Sequence, residues 1–194
     1  MRHSDHDKRR REIADVAVRL IAREGLEAVT VRRIAAEVGY STTVVTHYFK
    51  NKHELLLWTY RTLGEAGQEG REYGTPDDPP DLLGYLMAMS AASETNRAYW
   101  RTYVAIWDHS LLDAQISAEL NSWTRVVLQR IDELIRASTL ECSEPASVAR
   151  RLLAMVQGIS IQMLFDQASW TRDQVREAIA DQIEWLVHRR DLKS

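Results

Sequence analysis

Apolar positions recur with helical spacing along nearly the whole chain. Ile13, Val16, Ala17, Leu20 and Ile21 form one stripe of an amphipathic helix, and Gly25 follows as its stop. Thr30 stands where an N-cap belongs, ahead of a short helix with Val31, Ile34, Ala35 and Val38 on one face and Gly39 after it. Ser41 would cap a second short helix that turns Val45 and Phe49 inward. Asn51-Lys52-His53-Glu54 has the form of a capping box with Asn in the first place. It opens a helix bearing Leu55, Leu56, Thr59 and Leu63.

That helix should weaken at Gly64, Gly67 and Gly70, and Asp77-Asp78-Pro79-Pro80-Asp81 breaks the pattern. Helical segments are predicted over 81–92, 95–109, 112–138 and 144–166. A last one, 172–189, starts from the capping box Thr171-Arg172-Asp173-Gln174. No period-two stretch is long enough for a sheet. The expectation is an all-α fold of about nine helices, with a head over 1–50 and a helical body over 51–194.

Composition narrows the class. The chain has 194 residues, 45% of them hydrophobic and 27% charged, which suits a globular protein with a sizeable core. There is no run of roughly 18 apolar residues, so no membrane span is expected. The polar start, Met1 to Arg11, has no apolar signal core, and the single cysteine, Cys142, cannot form an internal disulfide. A cytoplasmic setting is the expectation. Residues 1–54 carry 11 Lys and Arg against 8 acidic residues, while the rest carries 14 against 20. A basic head on an acidic body suits a protein that meets a polyanion at one end.

Residues 30–49 place two short amphipathic helices around Gly39-Tyr40-Ser41, the spacing of a helix-turn-helix. The second helix presents Thr42, Thr43, Thr46 and His47 outward, small polar groups suited to base edges and phosphates in a major groove. The stretch from Thr30 to Ser41, followed by His47-Tyr48-Phe49-Lys50-Asn51-Lys52-His53-Glu54-Leu55-Leu56, resembles the TetR-family signature. Its reading helix, Ser41 to Phe49, is most similar to the BetI-like branch, and Trp100 to Ile131 is more loosely similar to that branch's C-terminal domain. Thr46 and Thr43 depart from the family's commoner tyrosine and glycine. The resemblance implies a transcriptional regulator whose Thr30, Tyr48 and Lys52 contact phosphates. Thr42, Thr43 and His47 would face the groove, with Arg9, Arg10 and Arg11 adding backbone contacts.

The resemblance also implies partners: a double-stranded operator, a second copy of the chain and a small-molecule effector that relieves repression, a quaternary amine being one candidate. Two half-sites add their energies when a two-fold dimer reads a pseudo-palindrome. The last two helices supply the expected dimer stripes. Val148, Leu152, Met155, Ile159 and Gln162, with Gly158 for close approach, lie on one; Val175, Ile179, Ile183, Leu186 and Val187 lie on the other. The alternative is that these stripes fill the protomer's own core. Aromatics gather in the middle of the chain. Trp100, Tyr103 and Trp107 form the candidate effector wall, where rings could cage a cation or could simply be core.

No Walker loop, Gly-x-Ser-x-Gly, His-Glu-x-x-His or Rossmann glycine pattern occurs, and Asp108-His109 has no nucleophile beside it. No catalytic residues, cofactor or metal site are expected. His3 and His6 sit in a stretch expected to be a mobile tail.

Overall fold

The structure is a computed structural model that describes residues 2–68, 81–140 and 142–188. Among the described residues there are nine α-helices, one 3₁₀ turn (Leu26–Ala28) and no strand. In order these are α1 Arg2–Glu24, α2 Val31–Val38, α3 Thr42–Tyr48, α4 Lys52–Gln68 and α5 Leu82–Met89. They continue with α6 Glu94–Ser110, α7 Ala114–Ala137, α8 Pro145–Phe165 and α9 Arg172–His188. The all-α expectation holds. Two boundaries differ. α1 begins at Arg2, so the polar start is helix and not tail; the i,i+3 pair Arg9–Glu12, 2.8 Å, supports helix where apolar periodicity gives no signal. α4 continues through Gly64 and Gly67 to Gln68. Gly70 and the break at residues 77–80 lie outside the described residues.

The caps form as the sequence directs. Thr30 Oγ1 accepts from the Arg33 amide at 3.2 Å and Ser41 Oγ from the Val44 amide at 3.3 Å. At Thr171 the box closes both ways: the Gln174 amide donates to Thr171 Oγ1, 3.2 Å, and Gln174 Oε1 accepts from the Thr171 amide, 2.9 Å. At Asn51 it closes only one way. Asn51 Oδ1 caps the Glu54 amide at 2.8 Å, but Glu54 reaches past Asn51 to the Lys50 amide at 2.9 Å. Gly39 ends α2 at φ 76°, a left-handed conformation where the Tyr40 amide can bond the Ala35 carbonyl at 2.9 Å.

The chain divides into two compact units, Met1–Gln68 with Ala98–Asn121, and Glu69–Arg97 with Ser122–Ser194. The first is built on α1 to α4. Ile13, Ala17 and Leu20 of α1, Ile34 of α2, Val45 of α3, Phe49 just after α3, and Leu55 of α4 share one buried cluster. Each such Val, Leu, Ile or Phe side chain withdrawn from water contributes roughly 1.5–3 kcal/mol before chain entropy is set against it. In the second unit α5, α8 and α9 pack on one another. Val148, Leu152, Val156, Ile159, Val175 and Ile179 are buried there, and Ser160 Oγ accepts from the Ala91 amide at 3.1 Å. α8 is long and apolar enough to cross a membrane by length and mean hydropathy, 1.2, because averaging dilutes Arg150 and Arg151. Of that window, 44% is buried inside the protein.

Candidate nucleic-acid interface and effector site

α3 is a seven-residue helix with one face committed to the core. Val45 is fully buried and Phe49 nearly so, which leaves Thr42, Thr43, Thr46 and His47 exposed on the other side. Thr46 Oγ1 donates to the Thr43 carbonyl at 3.0 Å. Tyr48 is half-buried at the end of α3, with its ring 5.3 Å from that of His47. Thr30 is exposed at the start of α2, and Lys52 is half-buried at the start of α4. The structure thus places the named residues at the start of α2, on the outer face and end of α3, and at the start of α4.

The head's cations sort into two sets. Arg23 and Arg33 are held by Glu24 and Glu37, Arg9 pairs with Glu12, and Arg11 with Glu65 at 3.1 Å. Arg10 turns inward. It pairs with Glu54, and its guanidinium lies 4.8 Å from the Phe49 ring centre and 4.4 Å from that of Trp58. The amide of Lys50, then the Arg10 guanidinium, hold the Glu54 carboxyl below its usual range against the opposing effect of burial. Arg32, Lys50 and Lys52, by contrast, have no carboxylate partner among the described residues. Two of these three flank the end of α3, where a phosphate would neutralise them.

Trp100, Tyr103 and Trp107 come together on α6. Tyr103 is the hub: its ring lies 5.3 Å from Trp100, 5.0 Å from Trp107, 5.9 Å from Tyr99 and 6.2 Å from Tyr60 on α4. Trp100 is buried, and Tyr103 and Trp107 are half-buried. Burial, then the neighbouring Tyr103 and Tyr99, push the Tyr60 phenol well above its ordinary pKa. The Trp107 indole N–H is buried with no hydrogen-bond partner among the described residues, an open donor within an apolar wall.

Tertiary ties connect this cluster's helices to the head, and the apolar pattern gave no sign of them. Thr102 on α6 donates to the Val18 carbonyl of α1 at 3.2 Å. His53 at the start of α4 meets Asp113 at 2.9 Å and Gln115 at 2.8 Å, and Arg61 pairs with Glu119 at 3.1 Å. The amide of Ile116, then that of Gln115, hold Asp113 below the usual carboxylate range, with His53 adding to the effect.

Of the residues on the two dimer stripes, Ile159, Ile179 and Leu186 lie inside the protomer, Met155 and Ile183 are half-buried, and Gly158 and Gln162 are on the surface. A Cβ at Gly158 would meet open space, so nothing in the protomer requires glycine there. Gln162 accepts from the Trp170 indole at 2.9 Å. Outward, Ala154, Gly158, half-buried Ile161 and Phe165 follow one line of α8, and Phe165 is 84% exposed. Trp185 on α9 is 50% exposed. The apolar spacing gave no sign of Phe165 and Trp185, because both lie off the main apolar stripe.

Residues 13–57 match the profile of bacterial regulatory proteins of the tetR family, and residues 80–188 match the C-terminal domain of BetI-type transcriptional repressors. The chain belongs to the TetR family. Among TetR-family relatives it is 30% identical to the regulator BetI of Brucella anthropi, over 79% of this chain and 80% of that one. It is 27% identical to the regulator PksA of Bacillus subtilis (strain 168), over 93% and 90% of the two chains. A transcriptional regulator of Saccharomonospora viridis, solved in complex with choline, superposes with a TM-score of 0.79 at 26% identity, covering 92% of this chain and 96% of that one. A regulator from Rhodococcus sp. Rha1 shares the fold at the same TM-score, 0.79, and 19% identity, covering 93% and 96%. The protein is therefore a TetR-family, helix-turn-helix transcriptional regulator.

Proposed function

We propose that this regulator is a cytoplasmic repressor. Residues 1–50 would read DNA, and residues 51–194 would sense a ligand and hold two protomers together. The observation that carries the reading is the division of α3: Val45 and Phe49 are sealed in the core, while Thr42, Thr43, Thr46 and His47 stand exposed near Lys50 and Lys52, whose side chains have no carboxylate partner among the described residues. In this reading Thr42, Thr43 and His47 face base edges, and Thr30, Tyr48 and Lys52 meet phosphates.

The second copy would dock on the outer α8–α9 face, where Gly158, Gln162, Phe165 and Trp185 are available and Met155 and Ile183 are half-available. Ile159, Ile179 and Leu186 would form the layer beneath. The effector would sit against Trp100, Tyr103 and Trp107. A quaternary or similarly soft cation suits electron-rich rings, and the choline complex of the Saccharomonospora viridis relative supports that class. Occupation would shift α6, and its ties to α1 and α4 would carry the shift to the reading helices. Paired half-sites one turn apart demand a spacing of about 34–36 Å, so a small tilt disfavours binding. A coupling of roughly 1–3 kcal/mol lowers operator affinity about 5–150-fold.

The test is to select an operator from a randomised duplex library and titrate the complex with choline. Tryptophan fluorescence change and operator release should follow the same concentration range. Trp107→Ala should weaken the first and leave ligand-free DNA affinity nearly unchanged. Operator release with no fluorescence change, or equal release from Trp107→Ala, would place the effector elsewhere.

A further inference from the structure

The segment before the family profile's match, which begins at residue 13, is continuous with α1 and reaches the reading helix. The His6 ring lies 5.0 Å from the Tyr48 ring and 6.4 Å, nearly edge-on at 74°, from that of His47. With the 5.3 Å contact between His47 and Tyr48, the three rings form a closed cluster. Three residues on, Arg9 donates to the Tyr40 hydroxyl in the turn at 2.6 Å and to Glu12 at 2.8 Å; Tyr40 in turn donates to Glu12 at 3.1 Å. Arg10 covers Phe49. His6, Arg9, Arg10 and Ile13 follow one another at spacings of three and four or fall next to such a position. One side of α1 thus runs from the core to both ends of α3.

We propose that the amino-terminal turns of α1 are a working part of the DNA-reading surface, with His6 the positioning residue for His47 and Tyr48. The proposal rests on the DNA-binding reading above. An exposed histidine on a two-turn helix samples several rotamers, and ordering it costs affinity at the moment of binding. A ring packed against it in the free protein removes part of that cost for the geometry that fits the correct base, so the gain falls on discrimination. His6 is half-exposed and stands outside the buried cluster, so its removal leaves the fold standing.

The experiment measures the affinity ratio of the full chain for its selected operator over a duplex altered at one base pair under α3. Thermal unfolding is recorded alongside. His6→Ala is expected to lower the ratio by about two- to tenfold with an unchanged unfolding midpoint. His6→Phe, which keeps a ring in place, should restore it. In a chain already carrying His47→Ala and Tyr48→Ala, His6→Ala should have little further effect, because the rings it positions are gone. An unchanged ratio in His6→Ala, no rescue by His6→Phe, or an undiminished effect in the triple variant overturns the proposal. Failure of the wild-type chain to select any sequence overturns the DNA-binding reading and this proposal with it.

Discussion

The two helix pairs α2–α3 and α8–α9 treat their apolar residues in opposite ways. In α2–α3 the inward face takes Ile34, Ala35 and Val45, and the outward face of α3 is mainly hydroxyl and imidazole, with Val44 at 38% exposure the exception. In α8–α9 the inward face is also saturated, yet Phe165 on α8 and Trp185 on α9 remain exposed, and Gly158 lies on the same line of α8 as Phe165 with open space beside it. A polar outer face exchanges water for phosphates and base edges at low desolvation cost. An apolar one gains only when another apolar surface covers it. Under the proposed function, this difference distinguishes a face suited to nucleic acid from one suited to a second protein surface.

The largest effect should come from breaking the head's inner face. Phe49→Ala removes a side chain that is 1% exposed and uncovers Arg10, at a cost of about 3–5 kcal/mol. Chemical denaturation should show that loss, and operator binding should fail with it. The α8–α9 face is next. Gly158→Trp meets open space in the protomer, so the protomer should keep its stability while the dimer weakens by about 1–3 kcal/mol through overpacking. Sedimentation would read the change, and a wild-type chain that is monomeric at micromolar concentration would remove the contrast altogether.

Substitutions on the outer face of the head should be of similar or smaller size and of two kinds. His47→Ala should change discrimination between sites by roughly 1–3 kcal/mol. Lys52→Ala should weaken all sequences alike and lower the salt slope by about one. If both variants behave alike in competition binding, α3 is not the reader. The smallest effect is acid sensitivity. Because Glu54 titrates below its usual range in the folded head, the stability it supplies is complete above the ordinary Glu value of about 4.3 and fades as pH falls through its lowered one. Unfolding midpoints between pH 6 and pH 3 should therefore fall less steeply in Glu54→Gln than in the wild type.

The helices and their caps were legible in the chain because they depend on neighbours three and four residues away. Ile13 to Ile21, Thr30, Gly39, Ser41 and Thr171 each specify local geometry without knowledge of the rest. The start of α1 was not legible, because the helical segment before Ile13 has few apolar positions; its supports, Arg9 to Tyr40 and Arg10 to Glu54, span 31 and 44 residues. The same distance hid His53 with Asp113 and Tyr60 with Tyr103.

Apolar spacing in α8 and α9 showed that these helices must bury a face, but not which residues would be left outside. The sequence by itself determined an all-helical chain with a helix-turn-helix head and a polar outer face on its second helix, since periodicity, capping and the family signature are local. Only the tertiary structure decided that Ile159, Ile179 and Leu186 turn inward, that Phe165 and Trp185 stay exposed, and that His6 meets His47 and Tyr48. The physical reason is that a helix's spacing fixes the faces it has, whereas what covers each face depends on elements far away in the chain.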